Sequence, residues 1–402
     1  MPSKKAISQI KFYFMANVLF LLQRYPGLGG IEIVTTVIAN YLVNQNYNIF
    51  FYSITTGKEY TKLDNRIVIY HNTKNKKEEQ SAEFLKFCID NKIDCIILHD
   101  NYDIKPEFFM NAIKHLQCKF FVVEHSDPMG VIEGVKRVMK RKQHGNIHDL
   151  LWLLKNYNYD KKITQSYIAR KNQLFTICNK YIILSKRFTN GIKYCIPNYD
   201  KNKLIAINNP LTVPIVKCKK QKNIVVFIGR LEKAKRIDYL IQVLTRIAPR
   251  YLNWDFHIYG DGSERGTIEK FIKSQVSPNI KYYGPTNNTP YVLQEAKILL
   301  MTSEYEGWGL VLTEAMANGT VPIAFDSYAS IHDIIENEVD GILVSPFNIN
   351  EYCSKLSRLL DNDTIYQMYH NKVYSKAALF QIDNFIGKQW KELLEILINK
   401  SI

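Results

Sequence analysis

Short apolar runs alternate with amphipathic segments along the first half of the chain. The first run, at residues 17–22, is followed by a glycine-rich turn at 26–30 and then by apolar positions at helical spacing. Five further runs of about four residues lie at 49–52, 67–70, 95–98, 120–123 and 181–184. Continuous apolar runs bounded by polar loops are typical of parallel strands buried between crossover helices. The pattern therefore predicts a doubly wound α/β domain.

The same pattern restarts at residues 223–228, which run directly into Gly229 and a new amphipathic segment. Further strands are predicted at 256–259, 280–283, 298–301, 321–325 and 341–344, and a helix at 310–318 is expected to end at Gly319. The predicted fold class is α/β, with two doubly wound Rossmann-like domains at 1–207 and 208–383. A terminal helix within 384–402 is expected to pack back on the first domain.

Composition narrows the class of protein. The chain has 402 residues, of which 46% are hydrophobic and 23% charged, as in ordinary globular proteins. The longest apolar stretch, 12–22, is too short to cross a bilayer, which needs about 20 residues. It has the length of a signal-peptide core, but a buried first strand explains it equally and no small-residue cleavage site follows. Seven cysteines without a CxxC pair argue against a disulfide framework, and a cytoplasmic location is expected.

The net charge of +15 favours an anionic partner: nucleic acid, anionic lipid or a phosphorylated substrate. Residues 131–176 hold ten Lys and Arg against three acidic residues, with the apolar residues 150–154 among them. This basic segment is interpreted either as a solvated helical face or as a surface that rests on an anionic membrane. No aromatic-basic motif supports specific nucleic-acid binding.

Glycine turns follow three of the predicted strands. They contain Gly29 with Gly30, then Gly229, and then Gly260 with Gly262. In an open parallel sheet such turns let backbone amides and helix N-termini approach an anion, although a tight turn alone also explains glycine. Arg230 and Lys235 flank the helix start after Gly229, so both cations can reach one diphosphate; the alternative is two solvated charges.

A second candidate site follows the strand at 298–301. Glu306 precedes the turn Gly307-Trp308-Gly309, and Glu314 lies in the next helix. Eight residues at 100° each would leave the two carboxylates about 80° apart on a helix, so they are expected to address different parts of a ligand. Charge decoration of a helix start is the alternative. His99-Asp100 also follows a strand; it could face the cleft, but a surface pair is expected.

These motifs resemble the C-terminal domain of family-4 retaining glycosyltransferases of the GT-B fold. The resemblance rests on Phe-Ile-Gly-Arg-Leu-x3-Lys at 227–235, Tyr-Gly-x-Gly at 259–262, Tyr-Gly at 283–284 and Glu-x7-Glu at 306–314. Looser similarity extends to Gly29-Gly30-x-Glu32 and to Glu124-His125-Ser126 in the first half. The resemblance implies two domains facing a central cleft, with the acceptor mainly in the first domain and a nucleotide sugar mainly in the second.

The resemblance also implies roles for individual residues. The catalytic group is expected to comprise Arg230, Lys235, Glu306 and His125. Donor-binding residues are expected to be Gly29, Gly30, Gly229, Gly260, Gly262, Tyr283, Gly307, Trp308, Gly309, Leu310 and Glu314. Within this set the resemblance assigns the diphosphate to the two cations and the ribose to Glu314. Trp308 stands where the family more often has Phe, and is expected to tune the choice of sugar.

The activity implied by the resemblance is sugar transfer with retention of anomeric configuration. No metal or other cofactor is expected, because Arg230, Lys235 and the helix-end amides already supply positive charge. The co-substrate is expected to be a nucleotide-diphosphate sugar, with UDP first, and the acceptor a glycan or lipid-linked glycan of bacterial surface polysaccharide synthesis. Such an enzyme would lie in the cytoplasm, peripherally on the inner face of the membrane. An epimerase or phosphorylase of the same fold, and a basic nucleic-acid-binding protein, remain as alternatives.

Overall fold

The computed structural model describes residues 16–27, 29–57, 62–100, 104–143, 158–217 and 221–398. The first domain is built on a parallel sheet of seven strands in the order β3-β2-β1-β4-β5-β6-β7. Its strands are β1 Asn17–Arg24, β2 Asn48–Thr55, β3 Val68–His71, β4 Cys95–Asp100, β5 Lys119–Glu124, β6 Lys180–Ile183 and β7 Leu204–Ala206. Its helices are α1 Gly30–Asn44, α2 Lys77–Asp90, α3 Pro106–His115, α4 Pro128–Gln143, α5 Tyr159–Ile177 and α6 Thr189–Cys195.

The second domain repeats this architecture with six parallel strands in the order β10-β9-β8-β11-β12-β13. Its strands are β8 Lys222–Ile228, β9 Asp255–Tyr259, β10 Ile280–Gly284, β11 Ala296–Met301, β12 Val321–Phe325 and β13 Ile342–Val344. Its helices are α7 Ile237–Ile247, α8 Arg265–Lys273, α9 Thr289–Glu295, α10 Leu310–Ala317, α11 Ile331–Ile334, α12 Ile349–Asp361 and α13 Asp363–Ala378. The terminal helix α14, Gly387–Ile398, follows a short π-helical turn.

The predicted fold is confirmed, and each predicted strand appears within a few residues of its expected position. The central strands are buried on both faces: every residue of β4 and of β12 is buried, which explains their continuous apolar runs. One strand, β7, was not predicted. It has three residues, none of them fully buried, so it carries no strong apolar signal.

Two segments connect the domains side by side. The first leads from β7 to β8, and the second leads from α13 to α14. The backbone amide of Leu211 in the first segment donates to the carbonyl oxygen of Phe380 in the second at 2.7 Å. Beyond this point α14 begins against α1, where Gly387 lies so close to Tyr41 that a Cβ on the glycine would stand 2.5 Å from the tyrosine ring.

The basic segment differs from the surface predicted for it. Arg170 and Lys171 point into the first domain, where both bind the buried carboxylate of Asp100, and Arg137 pairs with Glu304 of the second domain. Because these three cations are paired with carboxylates, they do not belong to the basic surface that the sequence predicted. The apolar residues 150–154 lie outside the described residues. Among the helices that are described, none has the length and hydropathy needed to cross a bilayer.

Candidate active site between the two domains

The two domains meet at the carboxyl ends of their strands. Strand order reverses between β1 and β4 in the first sheet and between β8 and β11 in the second. Ligands of open α/β sheets bind in the crevice at such a reversal. The turns that follow β1, β5, β8 and β11 carry most of the residues selected from the sequence, and the structure brings these turns together.

Backbone meets backbone at the centre of this cleft. A Cβ built on Gly307 would stand 1.8 Å from the carbonyl oxygen of His125, so the turn after β11 touches the turn after β5 directly. A Cβ on Gly30, at the start of α1, would stand 3.0 Å from a methyl group of Leu310. Glycine at 307 is therefore required by contact between the domains.

Side chains reinforce this contact next to the predicted motif. The ring of Tyr305 lies on Gly130 of α4, where a Cβ would stand 2.2 Å from the ring. The Tyr305 hydroxyl group donates to the carbonyl oxygen of Asp127 at 3.3 Å. Glu304 Oε1 forms an ion pair with Arg137 Nε at 2.9 Å. None of these residues had been selected from the sequence, because a contact between domains leaves no signature in residue spacing.

The two charged motifs of the second domain meet in an ion pair. Lys235 Nζ binds Glu306 Oε1, and Ser303 Oγ donates to the same oxygen at 2.8 Å. The lysine and the carboxylate are each less than one-fifth exposed. Arg230 is exposed and has no ion pair with any residue in the described ranges. Of these two cations, Lys235 is thus already paired with a carboxylate, whereas Arg230 is exposed.

The glycines of the turns after β8 and β9 differ in whether backbone conformation and packing require them. Gly260 has a φ of +146°, and a Cβ there would stand 1.9 Å from the carbonyl oxygen of Gly229. Gly262 has a φ of +152° and would clash with the carbonyl oxygen of Leu231 at 2.6 Å. Conformation and close packing therefore explain these two glycines. At Gly229 a Cβ would be in ordinary contact with the Phe227 ring at 3.6 Å, so packing does not require glycine there.

The tyrosine pair at the end of β10 divides between two faces of the sheet. The Tyr282 hydroxyl group donates to the Gly260 carbonyl oxygen at 2.9 Å and so contacts the glycine turn. Tyr283, which the resemblance selects, is half exposed and stacks on Tyr259 with ring centroids 4.9 Å apart. Of the two tyrosines, the structure therefore brings Tyr282 to the turn.

The turn before α10 buries its tryptophan. Trp308 is only 3% exposed and packs edge-on against Phe380 with centroids 5.7 Å apart, so the indole ring faces the core. Gly309 has a φ of +92°, and a Cβ there would stand 2.8 Å from the Tyr328 hydroxyl oxygen. Backbone conformation therefore selects glycine at the N-cap of α10.

Glu314 lies inside α10, on the side of the segment that joins the domains. Its Oε1 accepts a hydrogen bond from the hydroxyl group of Thr212 at 2.6 Å. Burial raises the pKa of Glu314, and the bond from Thr212 offsets part of this rise. The carboxylate that the resemblance assigns to ribose is thus already held by a residue between the domains.

His125 is paired with a second histidine. Its Nε2 lies 2.7 Å from Nδ1 of His99, and the two rings stack with centroids 4.9 Å apart. Burial lowers the pKa of His125 to about 4 and that of His99 well below its ordinary value. Both rings are therefore neutral at pH 7. The expectation that His99-Asp100 forms a surface pair was wrong, since His99 is 1% and Asp100 is 2% exposed.

A buried ionic cluster lies on the opposite face of the same two strand ends. Lys171 Nζ binds Asp100 Oδ2 at 2.8 Å and also binds Glu124 Oε2. Arg170 binds the other oxygen of Asp100, and the Tyr181 hydroxyl group donates to Glu124 at 2.8 Å. Burial alone would raise the pKa of Asp100, but Lys171 and Arg170 lower it to about 2. These bonds fix the backbone that presents His125.

Comparisons with known proteins identify related sequences for the chain. Residues 212–376 match the protein family described as Glycosyl transferases group 1. The chain is 25% identical over 388 residues to an "Uncharacterized glycosyltransferase" of Haemophilus influenzae, covering 94% of this chain and 100% of the relative. It is 21% identical over 382 residues to the amylovoran biosynthesis glycosyltransferase AmsD of Erwinia amylovora, covering 94% and 100%.

Solved structures support the fold over nearly the whole chain. The Anabaena HepE protein in complex with UDP and glucose has a TM-score of 0.72 at 15% identity, covering 94% of this chain and 99% of that one. Its low identity makes it a comparison of fold alone. The second domain of this chain thus matches the glycosyl transferases group 1 family. The two domains, with one sheet each, together form the GT-B fold.

Proposed function

We propose that this protein is a retaining glycosyltransferase that moves a sugar from a nucleotide-diphosphate sugar to a glycan or lipid-linked acceptor. One observation carries the proposal: Lys235 and Glu306 form an ion pair across the turns after β8 and β11, beside the point where Gly307 touches His125. A cation, a carboxylate and a neutral histidine from both domains thus line one crevice.

The cations of this crevice suit a diphosphate leaving group. Arg230 is exposed and has no ion pair within the described part of the chain, and an ammonium group has three donors, so Lys235 can hold Glu306 and a phosphate oxygen together. Backbone amides at the start of α10 add a positive helix end. These groups stabilise the charge that develops when the glycosidic bond breaks. Removal of one preorganised donor of this kind typically costs ~10²- to 10³-fold in rate.

The donor is proposed to be a UDP-sugar, with Glu314 on the ribose hydroxyl groups. Support comes from the resemblance of the Glu306 and Glu314 spacing to family-4 enzymes and from the GT-B neighbour that was solved with UDP and glucose. Retention rests on the same resemblance. Metal independence is proposed because Arg230, Lys235 and the helix amides supply positive charge at the diphosphate.

The acceptor is proposed to belong to bacterial surface polysaccharide synthesis, because one relative is named an amylovoran biosynthesis glycosyltransferase and another a lipopolysaccharide 1,6-galactosyltransferase. A lipid-linked acceptor would bring the first domain to the inner face of the membrane. The exposed lysines Lys136, Lys140, Lys161 and Lys162 support such contact. Sedimentation with anionic vesicles at low salt tests this part: binding that persists when Lys140, Arg141 and Lys142 are all changed to Glu contradicts a role for this segment.

A nucleotide and nucleotide-sugar screen tests the enzyme class. Binding of UDP, GDP and ADP is measured by the rise in unfolding temperature, since a ligand of the native state stabilises it. UDP release from UDP-glucose, UDP-galactose and UDP-N-acetylglucosamine is then followed with and without glycan acceptors. Release of UDP together with a glycoside of retained configuration is expected. Interconversion of the UDP-sugars indicates an epimerase, and exchange with inorganic phosphate indicates a phosphorylase.

A further inference from the structure

The ends of β4 and β5 each carry a histidine next to an acidic residue, in opposite order. β4 ends at His99-Asp100, and β5 runs through Glu124 into His125. The parallel register pairs Asp100 with Glu124, and His99 with Val123. Because side chains alternate between the faces of a strand, the two carboxylates share one face and the two histidines share the other. The register therefore builds the histidine pair and the ionic cluster on opposite sides of one site.

The two histidines differ in their exposure. His99 is 1% exposed and packs against Phe20, with ring centroids 5.6 Å apart. His125 is partly exposed, and its backbone carbonyl oxygen is the atom that Gly307 approaches from the second domain. One ring of the pair is thus fixed in the core, and the other stands at the cleft.

The surrounding hydrogen bonds are compatible with the following arrangement of the ring protons. The Thr35 hydroxyl group donates to the carbonyl oxygen of Ile31 at 2.7 Å, so toward His99 its oxygen can only accept. That oxygen lies 3.5 Å from Nε2 and 3.3 Å from Nδ1 of His99. Nδ1 already faces His125 at 2.7 Å, and a proton on Nε2 gives the Thr35 oxygen an N–H donor within 3.5 Å. His99 Nδ1 then accepts, and His125 Nε2 is the donor.

We propose that His99 is a positioning residue, which holds His125 in its Nε2–H form so that Nδ1 is left as a hydrogen-bond acceptor for a hydroxyl group of the donor sugar. The inference rests on the proposed function for its substrate, but the arrangement of the pair exists without substrate. The chain of bonds runs from α1, immediately after Gly29 and Gly30, through Thr35 and His99 to His125. It therefore links the first glycine turn to the centre of the cleft.

Two variants of His99 separate the hydrogen bond from the packing. His99→Phe keeps an aromatic ring beside Phe20 and removes the acceptor atom. His99→Asn sacrifices ring packing but carries an amide oxygen near the place of Nδ1. We expect His99→Phe to lower kcat for UDP release from a UDP-sugar by about ten-fold or more, because a misplaced group in an active site costs up to ~10²-fold. The Kd for UDP should stay unchanged, and His99→Asn should recover at least half of the lost kcat.

A matched control comes from the same sheet. His71 also accepts or donates through Nδ1, to Ser53 Oγ at 2.7 Å, and lies at the end of edge strand β3. His71→Phe should leave kcat at the wild-type value. A double-mutant cycle adds a second criterion: with His125→Ala in place, His99→Phe should change kcat less than two-fold if His99 acts only through His125. Wild-type kcat in His99→Phe, or an undiminished loss in the His125→Ala background, overturns the proposal.

Nitrogen-15 NMR of histidine-labelled protein tests the pair without any substrate. At pH 7 the wild type should show both rings neutral with the proton on Nε2, and the His125 signals should change in His99→Asn. A His125 ring protonated on Nδ1 overturns the proposal even if catalysis is normal. If the wild type releases no UDP from any UDP-sugar, the proposed function fails while this spectrum still decides the proton arrangement. The wild-type spectrum also serves if His99→Phe does not fold.

Discussion

Replacement of Gly307 by alanine tests whether the domains must meet at the His125 backbone for activity. The added Cβ would stand 1.8 Å from the His125 carbonyl oxygen, and ordinary contact begins near 3.4 Å, so the two turns must separate by about 1.6 Å. The atoms that the Cβ would meet belong to the backbone of His125 and Ser126 and not to a flexible side chain. The separation therefore has to come from movement of the domains or of the turns themselves. A displacement of about 1 Å from reactive geometry costs roughly 10²-fold, and we expect kcat to fall by at least that factor.

The same substitution should spare folding and nucleotide binding. Each domain can keep its own core when the cleft opens, because the clash lies between them. UDP release from a UDP-sugar, UDP affinity and the unfolding temperature are therefore measured together. Gly134→Ala in α4 is the matched control, since a Cβ there meets nothing within 4 Å. Wild-type kcat in Gly307→Ala would refute the requirement for this contact, and a loss of UDP affinity equal to the loss of kcat would refute the assignment of the effect to closure.

Four further predictions concern the second domain. Lys235→Ala should lower turnover by ~10²-fold with the fold intact, whereas the exposed Lys233→Ala should not change it; equal kinetics in the two variants would contradict the diphosphate role. Glu314→Ala should chiefly raise the Kd for UDP and Glu306→Ala should chiefly lower kcat, so equal losses of UDP affinity would remove the division of roles. Burial raises the pKa of Glu314, so its contribution to stability is full below the ordinary pKa of glutamate and is lost as pH rises through the raised value. Glu314→Gln, which keeps an acceptor for Thr212, should therefore gain stability over the wild type in urea unfolding at pH 8, and the gain should vanish toward pH 4; a gain independent of pH would contradict this. Activity should persist in EDTA, and its abolition with recovery on addition of Mg²⁺ or Mn²⁺ would reject metal independence.

The sequence predicts the strands of this fold because burial on both faces leaves an unambiguous pattern. A strand such as β12, with every residue buried, has no polar positions to interrupt it. Gly260 and Gly309 were also predictable as turn residues, since each has a positive φ that favours glycine. The backbone conformation of a turn depends on its own residues, so these glycines can be predicted without knowing where the other domain lies.

Contacts between distant segments could not be predicted in the same way. Lys171 is one cation among ten in its segment, and only the register of β4 with β5 reveals that it bridges two carboxylates. Trp308 shows the same limit. The resemblance implies that Trp308 tunes the choice of sugar, and only the structure reveals that its ring packs on Phe380, 72 residues further along the chain. Spacing along one chain does not determine which of two faces a side chain turns to.

The bond between Leu211 and Phe380 has a mechanical consequence. This hydrogen bond links the two segments that pass between the domains. The domains are therefore joined at one side of the cleft by two linked segments and not by a single one. A body held at two adjacent points can swing about the line that passes through them, but it cannot twist freely or slide sideways. Opening should then be a hinge motion about the two linked segments. Residues close to these segments, such as Thr212 and Glu314, keep their distance of 2.6 Å between oxygen atoms. The contact of Gly307 with His125, which lies further away, is broken. The nucleotide proposed to bind the second domain would then stay in place while the cleft opens, and the width of the opening would govern only access to the first domain.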